Sequence, residues 1–170
     1  VDYIAENLPT HARVRQMPDS FVRHPVTPEQ IAGLRSELGI EDGRRVCMLL
    51  GILDSRKGPL ELLDAVAGLS PDAQRKLCLL LVGSVDASLT DLVNEKVELL
   101  REQTGAQIVF RDAYISDVEV QTYYELADVA LTTYQRHMGM SSALIRAALA
   151  SIPVLSSDYG LMGEMVRRHG

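Results

Sequence analysis

Residues 51–58 combine two glycines with a pair of basic side chains in one short stretch, GILDSRKG. Glycine lets the backbone approach a ligand closely, and the ammonium group of Lys57 can supply a point charge to a phosphate. The stretch is not a P-loop, because the GxxxxGK[ST] spacing is absent. It indicates either an anion-binding turn at Gly51, Arg56 and Lys57 or a solvated turn with an exposed Arg-Lys pair.

Residues 77–83, LCLLLVG, have a glycine at the end of a continuous apolar run. Such a run is typical of a strand that is buried on both faces. Gly83 would let the next loop pass close to a neighbouring segment or a ligand, although a simple turn glycine gives the same pattern.

Residues 137–155, HMGMSSALIRAALASIPVL, contain a small-residue turn around Gly139, a helical pattern and an apolar run that predicts a short buried strand. If Ser141 and Ser142 lie at a helix N-terminus, their N–H groups and hydroxyls can bind an anion. The simpler alternative is that Ser141 only caps the helix. Arg146 lies about one turn further on, and we expect it to face solvent rather than a crevice.

Short apolar runs alternate with helical patterns along most of the chain. Thr27, Ser88 and Ser116 are predicted helix N-caps, because each precedes a helical pattern and has a suitable residue three positions later. Strands are predicted at residues 46–50, 77–82, 108–110, 129–131 and 153–155, helices follow residues 27, 58, 88, 116, 141 and 160, and one further short strand is predicted at residues 12–16.

This alternation predicts an α/β fold, a doubly wound Rossmann-like parallel sheet with helices on both faces and hence three layers. Ligands of such sheets bind beyond the carboxyl ends of the strands. The three stretches described above all follow or precede strands at that edge, so we expect them to form one crevice.

Composition narrows the class of protein. The chain has 170 residues and a net charge of −6, which argues against a nucleic-acid backbone as principal partner. No apolar run approaches the ~20 residues of a transmembrane helix. Cys47 and Cys78 each lie within an apolar run and favour a reducing compartment, and the four scattered histidines predict no metal site. The chain opens without Met, so we expect a fragment of a larger protein.

The order of the motifs is more informative than any one of them. GxxxxxKG before a helix is followed by LLLVG, by IVF with a polar turn before SDxE, by YxxADVALTTY and by AALASIPVLSSD. This succession resembles the C-terminal, donor-binding half of family-4-type glycosyltransferases of the two-Rossmann (GT-B) architecture. The resemblance covers residues 46–170, and residues 1–45 resemble that family's interdomain segment and leading helix.

The resemblance implies that a nucleotide-diphosphate sugar binds in a cleft facing an N-terminal acceptor-binding domain that is missing here. It implies a hexosyltransferase without a metal or other cofactor, in the cytoplasm or peripheral to a membrane in full length. This chain alone is expected to be inactive. By position, the implied donor-binding residues are Gly51, Arg56, Lys57, Gly83, Tyr114, Ile115, Gly139, Met140, Ser141, Ser142 and Arg146.

Three residues depart from the pattern of that family. Ile52 stands where an arginine is usual, and Met138 and Arg146 stand where two glutamates are usual. Loss of the carboxylate that accepts from the donor ribose typically costs about 1–3 kcal/mol. Arg146 could contact phosphate instead, and Arg56 could take over from the missing arginine. The alternatives are a degenerate, non-catalytic member with a structural or interaction role and an unrelated phosphate-binding Rossmann domain.

Overall fold

The computed structural model describes residues 21–169, and its centre is a five-stranded, all-parallel sheet. The strands are β1 (Arg45–Leu50), β2 (Leu77–Val82), β3 (Gln107–Arg111), β4 (Val129–Thr132) and β5 (Val154–Ser156). Their order across the sheet is β3-β2-β1-β4-β5. β1 pairs in parallel with β2 from Arg45↔Leu77 to Leu50↔Val82. The predicted doubly wound α/β fold is confirmed.

Helices connect the strands and cover both faces of the sheet. They are α1 (Pro28–Glu37), α2 (Pro59–Ala67), α3 (Pro71–Lys76), α4 (Thr90–Gln103), α5 (Asp117–Leu126), α6 (Ser142–Ala150) and α7 (Gly160–His169), with a 3₁₀ turn at Ser55–Lys57. The chain thus forms the three layers predicted from its sequence, as far as residues 21–169 are concerned.

Alternate residues of the central strands pack into two separate hydrophobic cores, one on each face of the sheet. Leu79 and Leu81 of β2 pack with Leu63 of α2 on one face, whereas Leu80 packs with Tyr123 of α5 on the other. All four leucines are completely or almost completely buried. This explains why β2 reads as an uninterrupted apolar run: a central parallel strand has no solvent-facing side.

Of the three predicted N-caps Thr27, Ser88 and Ser116, two are confirmed and one is wrong. Thr27 and Ser116 each form a complete capping box with the residue three positions on. Ser88 does not cap a helix, because its hydroxyl donates to Asp86 Oδ1 at 2.5 Å and α4 begins only at Thr90. Helix α3, which is capped by Ser70, was not predicted.

The last strand also differs from the prediction of a buried strand. β5 pairs only with β4 and is therefore an edge of the described sheet. Leu155 at its centre is exposed. The short strand predicted at residues 12–16 lies outside the described residues.

Candidate functional site

Two glycines form the floor of a cleft at the carboxyl edge of the sheet. Gly51 follows β1 and Gly83 follows β2, with φ values of +114° and +129°. A Cβ on Gly83 would overlap the carbonyl of Gly51, so the two backbones touch. Of the alternatives open for Gly83, close approach to a neighbouring segment is the one observed.

The turn after Gly51 directs the side chain of Lys57 back over the end of β1. Asp54 Oδ1 accepts from the backbone N–H of Lys57 at 3.0 Å, and Gly58 adopts φ +68° to turn the chain into α2. Lys57 Nζ then donates to the carbonyl of Leu50 at 2.5 Å. A Cβ on Gly51 would collide with this ammonium group. The glycine therefore makes room for the lysine.

Lys57 is only 7% exposed, so the interpretation of an exposed Arg-Lys pair is wrong for it. Burial, together with the neighbouring Arg56 guanidinium, lowers the pKa of Lys57 to about 8 against the opposing effect of Asp54. The ring of Tyr134 lies beside both cations, 5.4 Å from Lys57 Nζ and 5.1 Å from Arg56 Cζ. An anion arriving here would meet the ammonium group of Lys57 and the guanidinium of Arg56, which is paired with Asp54 at 3.3 Å.

The N-terminus of α6 lies next to this pair of cations. Ser141 is buried, its Oγ donates to Tyr134 Oη at 3.2 Å, and the same Oγ accepts from Ala143 N at 3.2 Å. Ser141 is therefore the cap of α6. Ser142 begins the helix and is exposed toward the cleft. His137 Nε2 lies 3.2 Å from the carbonyl of Met140 in the preceding loop.

These elements enclose two adjoining spaces. The inner cleft, about 220 Å³, lies between the ends of the strands, the loop after β3 and the start of α6. The outer cleft, about 390 Å³, lies toward the loop before α6. Both are lined by Gly51, Ile52, Lys57, Tyr134 and Ser142.

Ten of the eleven predicted donor-binding residues line one of these two clefts. Gly139 does not line either of them and is exposed in the loop before α6. Besides the shared residues, the inner cleft contains Gly83, Tyr114, Ile115 and Arg146, and the outer cleft contains Arg56, Met140 and Ser141.

Arg146 faces the inner cleft, so the expectation that it faces solvent is wrong. Its side chain is 16% exposed. Nη2 donates to Asp117 Oδ1 at 2.7 Å, and the guanidinium carbon lies 4.8 Å from the ring centroid of Phe21. These two contacts, from α5 and from the segment before α1, hold the guanidinium at the cleft wall.

The apolar wall of the inner cleft was not predicted. Val120 and Tyr124 of α5 both line it, and both are buried. The sequence contains a usable signal, because residues four apart share one face of a helix. Tyr124 packs in the core and also lines the cleft.

Three large apolar side chains are exposed on loops that follow the strands, and two of them, Ile52 and Tyr114, line the clefts. Ile52, Tyr114 and Met138 are 64%, 84% and 74% exposed. Each follows a different strand of the sheet. Two of them, Ile52 and Met138, occupy positions where the family resemblance implies charged residues.

Residues 21–169 contain neither a metal-ligand cluster nor a membrane-spanning helix. Residues 21–169 contain no group of three or more His, Cys, Asp or Glu side chains arranged to hold a metal ion. None of the helices within that range has the length and apolar character needed to cross a bilayer.

The chain belongs to the glycosyl transferases group 1 family, whose sequence model matches residues 31–170. No curated protein matches the sequence. Solved structures with the same fold include the N-terminal domain of a Candida albicans trehalose-6-phosphate phosphatase, at 17% identity and TM-score 0.69. The Anabaena protein Alr3699/HepE, solved in complex with UDP and glucose, is 21% identical with TM-score 0.64. The C-terminal domain of a Francisella tularensis group 1 glycosyl transferase (LpcC) is 16% identical with TM-score 0.64.

The three structures differ in how much of them this chain spans. The alignments cover 82% of this chain with the Candida and Anabaena proteins but only 32% and 36% of those chains. With the isolated Francisella domain they cover 85% of this chain and 72% of that one. The chain thus spans about a third of the length of the first two proteins.

Proposed function

We propose that this chain is the donor-binding, C-terminal half of a family-4-type glycosyltransferase, which transfers a hexose from a nucleotide-diphosphate sugar to an acceptor. The observation that carries the proposal is the position of Lys57, a buried ammonium group at the carboxyl edge of the sheet, beside the N-terminus of α6. Fixed positive charge of this kind stabilises the negative charge that develops on a diphosphate leaving group.

The donor diphosphate occupies the junction of the two clefts in this proposal. Lys57 and Ser142 line both clefts, so one diphosphate there can meet the ammonium group and the first N–H groups of α6 together. Arg56 adds a second cation on the side of the outer cleft. These groups of the chain supply positive charge to the leaving group, and we propose no metal or other cofactor.

The two ends of the donor then lie in different clefts. The inner cleft has the apolar wall of Ile115, Val120 and Tyr124 that suits a nucleoside base. The outer cleft is lined by His137, Met140 and Ser141, where polar groups can face a sugar. The Anabaena neighbour, whose structure contains UDP and glucose, supports this ligand class.

The acceptor is bound by a second domain in this proposal. The chain spans only about a third of the Anabaena protein, and Ile52 and Tyr114 are exposed apolar side chains at the inner cleft. The isolated chain should bind a donor and transfer nothing. The thiols of Cys47 and Cys78 are free, in keeping with the cytoplasmic location that we propose.

Titration calorimetry of the 170-residue chain with UDP, GDP, ADP and their glucose conjugates tests the proposal. We expect one base to bind, and Lys57→Met to weaken that binding about tenfold or more, because it removes a charge-assisted contact to the diphosphate. Lys96→Met is the matched control, since Lys96 pairs with Asp64 and lines neither cleft. Binding that is absent for every nucleotide, or unchanged by Lys57→Met, would contradict the proposal.

A degenerate, non-catalytic member is the second candidate function. Ile52, Met138 and Arg146 together favour it, because each stands in place of a charged residue that the family resemblance implies. Such a protein would bind none of the nucleotides in the calorimetric series. The full-length parent would then also show no hydrolysis or transfer of the sugar from any of the nucleotide sugars.

A further inference from the structure

Tyr134 lies in the loop after β4, and its ring contacts both cations of the turn after β1. The residue is 3% exposed, yet it lines the inner and the outer cleft. Arg56 Cζ lies 5.1 Å and Lys57 Nζ 5.4 Å from the centroid of the ring. The face of an aromatic ring attracts a cation within about 6 Å of its centroid, most strongly where water is excluded. One ring therefore attracts both cations that the proposed diphosphate would meet.

A neutral ring suits this place better than an acidic side chain would. Arg56 and Lys57 repel each other, and Asp54, which pairs with Arg56 at 3.3 Å, offsets part of that repulsion. No Asp or Glu among residues 21–169 lines either cleft. A carboxylate in the position of the ring would attract the cations but repel a diphosphate, whereas the ring attracts the cations and has no net charge.

The hydroxyl end of Tyr134 contacts the first turn of α6. Tyr134 Oη accepts from Ser141 Oγ at 3.2 Å, and the same Oγ accepts from the backbone N–H of Ala143 at 3.2 Å. Ser141 is 6% exposed, so loss of the phenol oxygen would leave a buried hydroxyl without this acceptor. The phenol thus links the two cations to the cap of α6.

Main-chain hydrogen bonds fix the loop that presents the ring. The carbonyl of Tyr134 accepts from Ser157 Oγ at 2.8 Å, and Ser157 follows β5. The backbone N–H of Gln135 donates to the carbonyl of Arg56 at 2.6 Å. The loop is therefore bonded to the end of β5 on one side and to the basic turn on the other, which leaves the ring little freedom to move.

We propose that Tyr134 is a positioning residue of the candidate donor site: its ring holds the Lys57 and Arg56 cations at the junction of the clefts, and its hydroxyl holds the cap of α6 beside them. The side-chain charges and the helix N-terminus then face one anion without rearrangement, as preorganised electrostatic stabilisation requires. The inference rests on the proposed function, because it takes that anion to be the donor diphosphate.

The pKa of Lys57 in the free chain, measured by NMR with ¹³C-labelled lysine, tests the role of the ring. Tyr134→Leu removes the ring face that favours the ammonium form, so we expect it to lower this pKa by about half a unit or more. Tyr134→Phe keeps the ring and should keep the pKa. A simple packing role of Tyr134 predicts no such difference between the two variants.

Double-mutant cycles test both contacts on ligand binding, with inorganic pyrophosphate and UDP as the calorimetric probes. Tyr134→Leu should weaken binding about fivefold or more, and it should have a smaller effect when Lys57 is already Met. Tyr134→Phe should weaken binding about threefold, because the cap of α6 loses its partner, and should have no further effect in Ser141→Ala. Effects that simply add in both cycles would overturn the inference.

Two other tyrosines supply the matched controls. Tyr123 is buried in α5 and Tyr159 is exposed, and neither lines a cleft. Tyr123→Phe and Tyr159→Leu should keep the Lys57 pKa and the affinities of the wild-type chain. If Tyr134→Leu does not fold, Tyr134→Phe decides, because the inference fails if this variant binds both probes as tightly as the wild-type chain.

The remaining outcomes separate the inference from the proposed function. If the probes bind and Lys57→Met weakens them, while both Tyr134 variants keep the Lys57 pKa and the affinity, the proposed function stands and only the inference fails. Absence of binding by pyrophosphate and by every nucleotide would overturn both.

Discussion

At the scale of the residue, Lys57 shows what a sequence can and cannot predict. The residue types of the turn predicted either an anion-binding site or a solvated turn around Lys57. Its burial depends on the missing side chain of Gly51 and on the contact of Nζ with Leu50 O, both of which follow from the path of the turn. No local pattern encodes that path.

The orientation of the Arg146 side chain also could not be predicted from the residues next to it in the sequence. Its position on α6 could be predicted from the helical pattern, but its direction could not. Phe21 and Asp117, which hold the guanidinium, lie far from it in the sequence. The sequence therefore left two directions open, and packing between α5, α6 and the segment before α1 selected the cleft.

The lowered pKa of Lys57 predicts a pH dependence of diphosphate binding. The pKa in the free chain is about 8, so the ammonium form that attracts an anion is lost as pH rises above that value. We expect affinity for a nucleotide sugar, whose diphosphate does not titrate in this range, to be constant from pH 6 to 7 and to fall above pH 8, by up to about tenfold per pH unit. Calorimetric titrations between pH 6 and 9.5 measure this.

Lys57→Met controls for other titrating groups. The variant lacks the ammonium group, so its affinity should be weaker and should show no decrease centred near pH 8. An equally steep fall in the variant would assign the pH dependence to another group.

At the scale of the element, most strands and helices were predicted to within one or two residues of their observed bounds. The run of β2 was predicted without error, because a central parallel strand is apolar throughout. Ser88 was predicted to cap a helix, but Asp86 competes for its hydroxyl. Helix α3 has only six residues and little apolar pattern, so periodicity did not reveal it.

The contact between the ends of β1 and β2 predicts a large penalty for a side chain at Gly83. Gly83→Ala would need an unfavourable φ and would overlap the carbonyl of Gly51, so we expect it to lower the free energy of unfolding by about 1–3 kcal/mol or more. Urea denaturation measures the change.

Gly33→Ala is the matched control. Gly33 lies within α1 and has nothing within 4 Å of an added Cβ, so the same substitution there should raise the free energy of unfolding by about 0.5–1 kcal/mol. Equal effects at the two glycines would show that the two strand ends do not touch as described.

At the scale of the whole molecule, the fold brings together residues that are far apart in the sequence. Lys57 follows β1, Ile115 follows β3, and Arg146 lies on α6, yet all line one cleft. The general rule for ligand sites in doubly wound sheets was enough to predict this convergence. The apolar wall and the acid-free lining depend on helix packing, and they emerged only from the structure.

Charge is distributed unevenly over the molecule. The chain has a net charge of −6, yet Lys57 and Arg146 line the inner cleft with no Asp or Glu among its lining residues. Ile52 and Tyr114, which also line that cleft, are exposed apolar side chains.

The most direct test of the central claim is the pKa of Lys57 itself, measured by NMR on the chain with ¹³C-labelled lysine, with and without saturating UDP, GDP or ADP. In the free chain the Lys57 signal should titrate near pH 8. A diphosphate bound against Nζ favours the charged form, so one nucleotide should raise this pKa by about one unit or more. A Lys57 pKa that none of the three nucleotides changes would contradict the assignment of this cleft as the donor site.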